Sequence, residues 1–214
     1  MRPPYLALVA LALLLPGAAP ADATVITFGT APGGAFGAKV TQGGFTYSTY
    51  SGSLFVDNLG DPSGQDMEGS VGGGGGVLAI SGGGLFTYSG LDFAAYDSGG
   101  SSSGTQTLTV RGFLNGVLAG TDTYTLTDTN AVRPTYSNWS VESASALAGK
   151  RIDDLLITLD GGTSPTFHNA AIDNVVVTPA AAVPEPTTFL LFGGFVLALL
   201  RMRAGQRGRS PLPH

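Results

Sequence analysis

Short β-type runs constrain the fold of this chain more than any other feature. Between residues 24 and 183, segments rich in Val, Ile, Leu, Thr, Tyr and Phe alternate with segments of Gly, Ser, Asn and Asp. Runs of the first kind predict strands, segments of the second kind predict turns, and no stretch shows the apolar spacing of an amphipathic helix. Many short strands predict an all-β fold, either a single antiparallel β-sandwich or a barrel. The predicted strands are Thr24–Phe28, Gly44–Tyr50, Leu54–Val56, Val77–Ser81, Leu91–Tyr96, Thr105–Leu114, Val117–Thr127, Asn138–Glu142, Ile152–Leu159 and Ala170–Thr178.

The segments between these runs are predicted to be loops. Gly72–Gly76 shares its glycines with phosphate-binding loops, but such a loop ends in Gly-Lys-Ser or Gly-Lys-Thr and opens a helix. A strand follows here, so we interpret the segment as an inter-strand loop. Ser143–Ala148 is Ala-rich and predicts one helical turn. The other predicted loops are Leu59–Ser70, Gly82–Gly84 and Ser98–Gly104.

The sharpest local signal is Asn115-Gly116, which predicts a tight turn between two alternating strands. A strict two-residue loop would pair Leu108 with Thr123 and put the apolar sets of the two strands on opposite faces. Because burial decides register, we expect an odd-length loop with Gly116 in a left-handed G1 bulge. The side chains that would then share one core are Leu108, Val110, Tyr124 and Leu126.

The last predicted strand has a distinctive sequence. Ala171–Val177 is almost continuously apolar around Asp173 and Asn174, which predicts a central strand covered on both faces. The segment resembles the terminal strand of jelly-roll, galactose-binding-like and carbohydrate-binding modules. The resemblance covers about eight residues and the strand rhythm, and it implies an architecture only.

The N-terminus reads as an export signal. Arg2 supplies a positive charge, Leu6–Leu15 is apolar, and small residues follow as far as Ala23. This order predicts a secretory signal peptide over residues 1–23, which leaves an exported β-sandwich domain over residues 24–179.

The C-terminal segment, residues 180–214, contains a second predicted sorting signal. Val183-Pro184-Glu185-Pro186 precedes an apolar stretch over residues 187–200 and an arginine cluster. As a helix of about 1.5 Å rise per residue, the stretch is shorter than the roughly 30 Å of a bilayer's hydrocarbon. Arg201 and Arg203 would stop it at the cytoplasmic side.

Pro-Glu-Pro, a short transmembrane helix and a terminal arginine cluster together resemble the PEP-CTERM protein-sorting signal of Gram-negative bacteria. The same tail is also known under an ice-binding-protein C-terminal label. The resemblance implies that an exosortase cuts near Pro-Glu-Pro and releases the domain or attaches it at the cell surface. An ordinary C-terminal anchor is the alternative, and it would leave the domain facing the same way.

Composition narrows the function classes. The chain has no cysteine, so an exported fold cannot rest on disulfides. Residues 24–183 contain five basic and thirteen acidic residues, a net charge of −8. A surface of that sign repels nucleic acid and anionic lipid.

Catalytic residues are scarce in the predicted domain. His168 is its single histidine, so neither a Ser-His-Asp arrangement nor a zinc site is predicted. A glycosidase needs two carboxylates across a cleft, and the glutamates available are Glu68 and Glu142. Asp153 and Asp154 are adjacent on a strand and point to opposite faces. The chain is therefore predicted not to be an enzyme.

Two kinds of ligand remain open. Ca²⁺ binds six to eight oxygen atoms, so the acidic segments containing Asp57, Asp61 and Asp173 are candidate ligands for a structural calcium ion. Exposed aromatic rings serve as platforms for sugars, and Trp139 and Tyr136 are the candidates for that role. A single tryptophan is more often a core residue, which is the competing interpretation of Trp139.

The sequence thus predicts an exported bacterial cell-surface or matrix protein, held in the inner membrane before processing, with a non-catalytic adhesive or structural role. The predicted partners are the secretion machinery, an exosortase, the inner membrane and exopolysaccharide, with no nucleic acid. A carbohydrate-binding, lectin-like module is the first alternative, and a secreted hydrolase using a carboxylate pair is the second.

Overall fold

A computed structural model describes residues 21–57, 66–70, 75–97, 105–127, 139–160 and 168–181, and Ala21–Ala180 form one compact unit. These ranges contain strands and turns but no helix, and hence none long and apolar enough to cross a membrane. The strands are β1 (Thr24–Ile26), β2 (Gly34–Phe36), β3 (Lys39–Gln42), β4 (Phe45–Gly52), β5 (Leu54–Asp57), β6 (Asp66–Ser70), β7 (Gly76–Asp97), β8 (Thr105–Leu114), β9 (Val117–Thr127), β10 (Ser140–Ser143), β11 (Ile152–Asp160) and β12 (His168–Pro179).

The strands form two antiparallel sheets that share β7. The first sheet has the order β3-β4-β7-β11-β8-β9 and uses the first part of β7. The second has the order β2-β5-β6-β12-β7-β10 and uses the last part of β7, with β1 beside the end of β12. One chain segment therefore runs through both layers.

The change of layer occurs in the glycine-rich middle of β7. Asp154 of β11 lies opposite Ser81, whereas Ile152, only two residues away, lies opposite Phe86. The four residues of β7 between those positions face a single residue of β11, Asp153, although Gly82 still pairs with Phe45 of β4. Gly83 and Gly84 have no neighbouring atom within 4 Å of an added Cβ, so this bend is open to solvent.

The core lies between the two sheets. Tyr47 of β4 packs edge-on against Phe28, which follows β1, with ring centroids 5.3 Å apart. It also stacks on Phe36 of β2 at 5.7 Å. Phe45 of β4 meets Phe86 of β7 edge-on at 5.2 Å. These contacts join the first sheet to the second, which confirms the predicted all-β sandwich.

β12 is a central strand, as its apolar sequence predicts. It pairs with β7 on one side and with β6 and then β1 on the other. Its side chains are buried from Ala170 to Asp173, so both faces of the sheet are covered there.

Three strands were missed by the sequence interpretation, and one predicted loop was wrong together with the last part of another, whose first residues lie outside the described ranges. β2, β3 and β6 lack the apolar alternation of a strand; β6 reads Asp-Met-Glu-Gly-Ser and falls inside the predicted loop Leu59–Ser70. Gly82–Gly84 lies within β7 rather than between two strands. Ladder bonds from neighbouring strands impose an extended backbone on these residues despite their weak propensity.

The β8–β9 hairpin has the predicted core residues, but its loop length and the position of its bulge differ from the prediction. Its loop has two residues, Asn115 and Gly116, with φ of 52° and 75°, so the predicted odd-length loop was wrong. The extra residue is Ala119, three positions further on, where the register shifts. Leu108 consequently pairs with Tyr124 rather than with Thr123, as burial requires.

The Ala-rich piece forms a turn rather than a helix over residues 145–149. The buried carboxylate of Asp122 in β9 accepts backbone N–H bonds from Ser145, Ala146 and Leu147 at 3.2, 2.6 and 3.3 Å. Leu147 is buried beneath this turn. The turn thereby closes one end of the sandwich and leads from β10 into β11.

Candidate functional site

An open pocket of about 510 Å³ lies on the outer face of the second sheet. The elements around it are β1, the last part of β7, β10 and β12. We call it the β10 pocket. Its lining residues are Val25, Ser89, Gly90, Leu91, Asp92, Val141, Glu142, Ser143, Asn174 and Val176.

Three valines form the apolar part of the β10 pocket. Val25 and Val176 are paired across β1 and β12, and Val141 lies on β10. Val141 is 80% exposed and Val25 is 43% exposed. Their chain neighbours Ile26 and Val177 point into the core, so strand alternation directs the valines outward. The result is an exposed apolar surface on the outer face of the second sheet.

An oriented carboxylate lies next to these valines. Asp92 of β7 pairs with Val141 and is half-buried. The side-chain amide of Asn174 donates a hydrogen bond to its Oδ2 at 2.8 Å. Asn174 has φ of 49° and occupies an irregularity of β12, between the pairs Asp173–Asp92 and Val176–Gly90. This irregular residue brings its amide to the carboxylate.

Gly90 allows β10 to approach the sheet. An added Cβ at Gly90 would collide with the carbonyl oxygen of Glu142. Ala144, just after β10, donates its backbone N–H to the carbonyl of Ser89 at 2.8 Å. The wall of the pocket that carries Val141 therefore depends on a residue without a side chain.

Trp139 continues the apolar surface beyond Val141. It is half-buried and packs on Ala94 and Ala171, which form a small cluster separate from the main core. Ser140 pairs with Phe93, so Trp139, the preceding residue, lies beside Ala94 on the outer face. No described residue accepts a hydrogen bond from its buried indole Nε1. The ring thus lies on the outer face, with its indole N–H shielded from solvent.

A row of aspartates crosses the same sheet. Asp92 pairs with Asp173, and Asp66 follows Asp173 in the ladder because Met67 pairs with Ile172. Asp66 and Asp173 are fully buried. No group of three or more His, Cys, Asp or Glu suited to holding a metal occurs in the described ranges. The calcium ion stays a prediction.

The strands of the second sheet are one-sided in charge. None of them contains Lys or Arg. Their acidic residues are Asp57, Asp66, Glu68, Asp92, Asp97, Glu142 and Asp173. Asp92 and Glu142 are the acidic residues among those that line the β10 pocket.

Glu142 belongs to the inner side of β10. It pairs with Leu91, a core residue, and its carboxylate accepts a hydrogen bond from the hydroxyl of Ser140 at 2.7 Å. Burial, and to a smaller degree the nearby charges of Asp122 and Glu142, raise the pKa of Tyr124 to about 12. Burial is also the main cause of the raised pKa of Tyr88. These groups support β10 from behind the pocket.

The outer face of the first sheet has a different chemistry. Outward positions of β8 and β9 are occupied by threonines that face each other in register, and Thr158 of β11 lies beside Thr109. This face carries hydroxyl and methyl groups and, on these two strands, one charged residue, Arg111. The paired threonines are Thr105 with Thr127, Thr107 with Thr125, and Thr109 with Thr123.

The structure describes one residue of each predicted ligand site with its side chain. Trp139, the candidate sugar platform, and Asp173, a candidate calcium ligand, lie on the same face of the second sheet, two strands apart. Asp57 is on β5, and only its backbone is described. Several predicted residues lie outside the described ranges: Asp61, Tyr136, Val183, Pro184, Glu185, Pro186, Arg201 and Arg203.

Sequence analysis missed most of the β10 pocket. Val25, Asp92, Val141, Asn174 and Val176 come from four strands, and pairing alone makes them neighbours. One local signal was available. The Asp-Asn pair in an apolar strand marks a site where a bulge is favoured, because Asn tolerates a positive φ.

Comparison with known proteins leaves the chain without an established family. No protein-family model matches it, and no curated protein matches it. The chain is similar to the solved structure of a DUF4465 family protein from Bacteroides caccae, with 12% identity over 74% of this chain and 100% of that chain, at a TM-score of 0.46.

Two further solved structures contain carbohydrate-binding modules from Clostridium thermocellum. A family 11 module in complex with a β-1,3-1,4-mixed-linked tetrasaccharide has 13% identity over 72% of this chain and 100% of that one, with a TM-score of 0.32. The CBM22-1–GH10 modules of xylanase 10B, complexed with xylohexaose, have 13% identity over 78% of this chain and 30% of that one, with a TM-score of 0.36. The tetrasaccharide and the xylohexaose are ligands of those two Clostridium thermocellum proteins.

Proposed function

We propose that this chain is an exported, non-catalytic surface protein that binds envelope polysaccharide at the β10 pocket. The observation that carries the proposal is that Val141 and Asp92, which line the pocket, share one outer face with Trp139, which precedes β10. An aromatic ring and branched aliphatic groups are laid beside a carboxylate held by Asn174. Export and sorting rest on the signal peptide and the Pro-Glu-Pro tail.

Sugars present two kinds of surface, and the β10 pocket offers a partner for each. The C–H faces of a sugar ring pack against aromatic and aliphatic side chains, while its hydroxyl groups need hydrogen-bond partners at the edges. The valines and Trp139 supply the first kind of contact. The carboxylate of Asp92 and the side-chain amide of Asn174 supply the second.

The open shape of the pocket suits a chain rather than a small molecule enclosed on all sides. Val141 stands 80% exposed at its rim, so a ligand could extend past it along β10. Such a surface fits adhesion to a matrix polymer, where many weak contacts add up through repeated attachment.

Trp139 is the only tryptophan of the chain and therefore reports on this site by itself. We expect polysaccharide from the native envelope to change its fluorescence with a saturable dependence on concentration. Calorimetry should show binding weakened about tenfold by Trp139→Ala, because a contact of about 1.4 kcal/mol is lost. Val141→Ser should also weaken binding without disturbing the fold, since that residue is largely exposed.

The matched control is Thr123→Ala on the outer face of the first sheet, which should bind as the unaltered protein does. Absence of any fluorescence change or heat with envelope polysaccharide would overturn the proposal. Turnover of a glycan that is lost in Glu142→Gln would replace it with the hydrolase alternative.

A further inference from the structure

The charges around the β10 pocket carry an inference about the class of glycan, and it rests on the function proposed above. We infer that the pocket selects glycans with free amino groups over neutral glycans and excludes glycans rich in uronic acids. The inference concerns the charge of the occupant, whereas the proposed function concerns only whether a polysaccharide binds.

The basic residues that the structure describes lie on other elements. Lys39 is on β3 and Arg111 is on β8, both in the first sheet. Lys150 and Arg151 precede β11, and the Lys150 ammonium donates a hydrogen bond to the carbonyl of Ala119 at 2.7 Å. Among the described residues, therefore, no cation lines the β10 pocket. A bound carboxylate would meet like charge there, whereas an ammonium group would meet opposite charge.

Asp92 is placed to accept an ammonium group. Its half-buried position lowers the local dielectric constant, which strengthens an ionic hydrogen bond relative to one in bulk water. The side-chain amide of Asn174 donates a hydrogen bond to Oδ2 of Asp92 at 2.8 Å, so the carboxylate is oriented before a ligand arrives. A carboxylate has about four acceptor positions, and the amide of Asn174 occupies one of them.

The three valines add an apolar contribution to the binding free energy, so the site is not purely electrostatic. Val25, Val141 and Val176 bury apolar surface when a ring covers them, and that gain is independent of the substituent at the amino-bearing carbon. Neutral glycans should consequently bind as well, but less tightly. The expected difference is about fivefold to tenfold, the range of an ionic hydrogen bond at a partly exposed site.

A pair of probes that differ only in charge tests the inference. The full-length protein is titrated by calorimetry with an oligosaccharide of glucosamine and with its N-acetylated counterpart of the same length. We expect the amino form to bind about fivefold to tenfold more tightly at low salt, and the advantage to shrink as salt screens the pair. An oligouronate of equal length should give no measurable binding.

Asp92→Asn is the diagnostic variant because it keeps the shape of the side chain and removes its charge. It should abolish the preference for the amino form, so that the amino and N-acetylated forms bind within about twofold of each other. Asp154→Asn, at an exposed position of the first sheet, is the control and should keep the preference.

The outcomes separate this inference from the proposed function. Equal binding of the two forms, or a preference that persists in Asp92→Asn, overturns the inference and leaves polysaccharide binding standing. Binding of the oligouronate at the same site also overturns it. Failure of all three probes together with native envelope polysaccharide would instead overturn the proposed function.

Discussion

Tyr124 links the two sheets behind the β10 pocket. Its hydroxyl lies 3.3 Å from that of Tyr88 on β7 and donates a hydrogen bond to the carbonyl of Ser143 on β10 at 3.2 Å. One phenol of the first sheet thereby joins two strands of the second. Both rings are buried, so loss of a single hydroxyl group would leave a buried polar group without its partner.

This pair predicts a loss of stability in alkali. Burial, the largest cause, raises the pKa of Tyr124 to about 12, while an unfolded tyrosine titrates near about 10. Since the unfolded state loses its proton first, the stabilisation is complete below about pH 10 and is lost as the pH rises through the folded pKa. Denaturant unfolding between pH 8 and pH 12 would measure this decline.

Tyr124→Phe should shift that profile. At neutral pH we expect the free energy of unfolding to fall by about 1–3 kcal/mol, because Tyr88 and the carbonyl of Ser143 lose a partner. The alkaline decline should be shallower, since one buried phenol fewer titrates. Tyr50→Phe, at a 67% exposed ring, should match the unaltered protein at every pH. An alkaline profile unchanged in Tyr124→Phe would contradict this account.

At the scale of elements, the docking of β10 depends on Gly90. A methyl group at this position would collide with the carbonyl oxygen of Glu142 on the neighbouring strand. The backbone atoms on both sides belong to a ladder, so neither can move without loss of hydrogen bonds. The site and the packing of the sheet therefore share one steric requirement.

Gly90→Ala should displace β10 and disturb the pocket. The expected cost is about 1–3 kcal/mol in the free energy of unfolding, as for overpacking a close contact, together with weaker polysaccharide binding. Thermal unfolding and calorimetry would measure both effects. Gly83→Ala is the control, because a Cβ there meets nothing within 4 Å, and it should change stability by at most about 0.5 kcal/mol. A Gly90→Ala protein with unaltered melting and binding would rule this role out.

At the scale of the whole molecule, charge is distributed by sheet. The strands of the second sheet contain acidic residues and no Lys or Arg. The strands of the first sheet carry Lys39 and Arg111 together with four aspartates, Asp122, Asp153, Asp154 and Asp160. If the proposed glycan site on the second sheet is correct, the protein would attach to a matrix through that face, with threonines on the outer face of the first sheet. The second face is then left to solvent or to other contacts.

Processing of the ends is a prediction about the whole chain. If an exosortase acts at Pro-Glu-Pro, protein recovered from the native envelope should lack residues 1–23 and everything after about Pro186. Intact-mass spectrometry measures both ends at once. Recovery of a species that still ends in His214 would favour a permanent anchor, and a species that retains Met1 would contradict export.

Much of the fold follows from sequence because strand alternation is a local property. The strands β8, β9, β11 and β12 are evident from their apolar pattern, and the shared core of Leu108 and Tyr124 follows from burial alone. Because burial decides the register, this shared core was predicted correctly even though the predicted loop length was wrong. The chain inserted its extra residue at Ala119 instead, since any odd insertion restores the same faces.

What sequence alone determined about this protein is its all-β character, its acidic charge and the two end segments that predict export and sorting. Only the tertiary structure decided that Gly82–Gly84 lies inside one continuous strand and that β6 pairs with β12. The tertiary structure likewise brought Val25, Asp92, Val141 and Asn174 together. The physical reason is that alternation fixes which face a side chain takes, whereas ladder pairing between distant segments fixes which side chains meet.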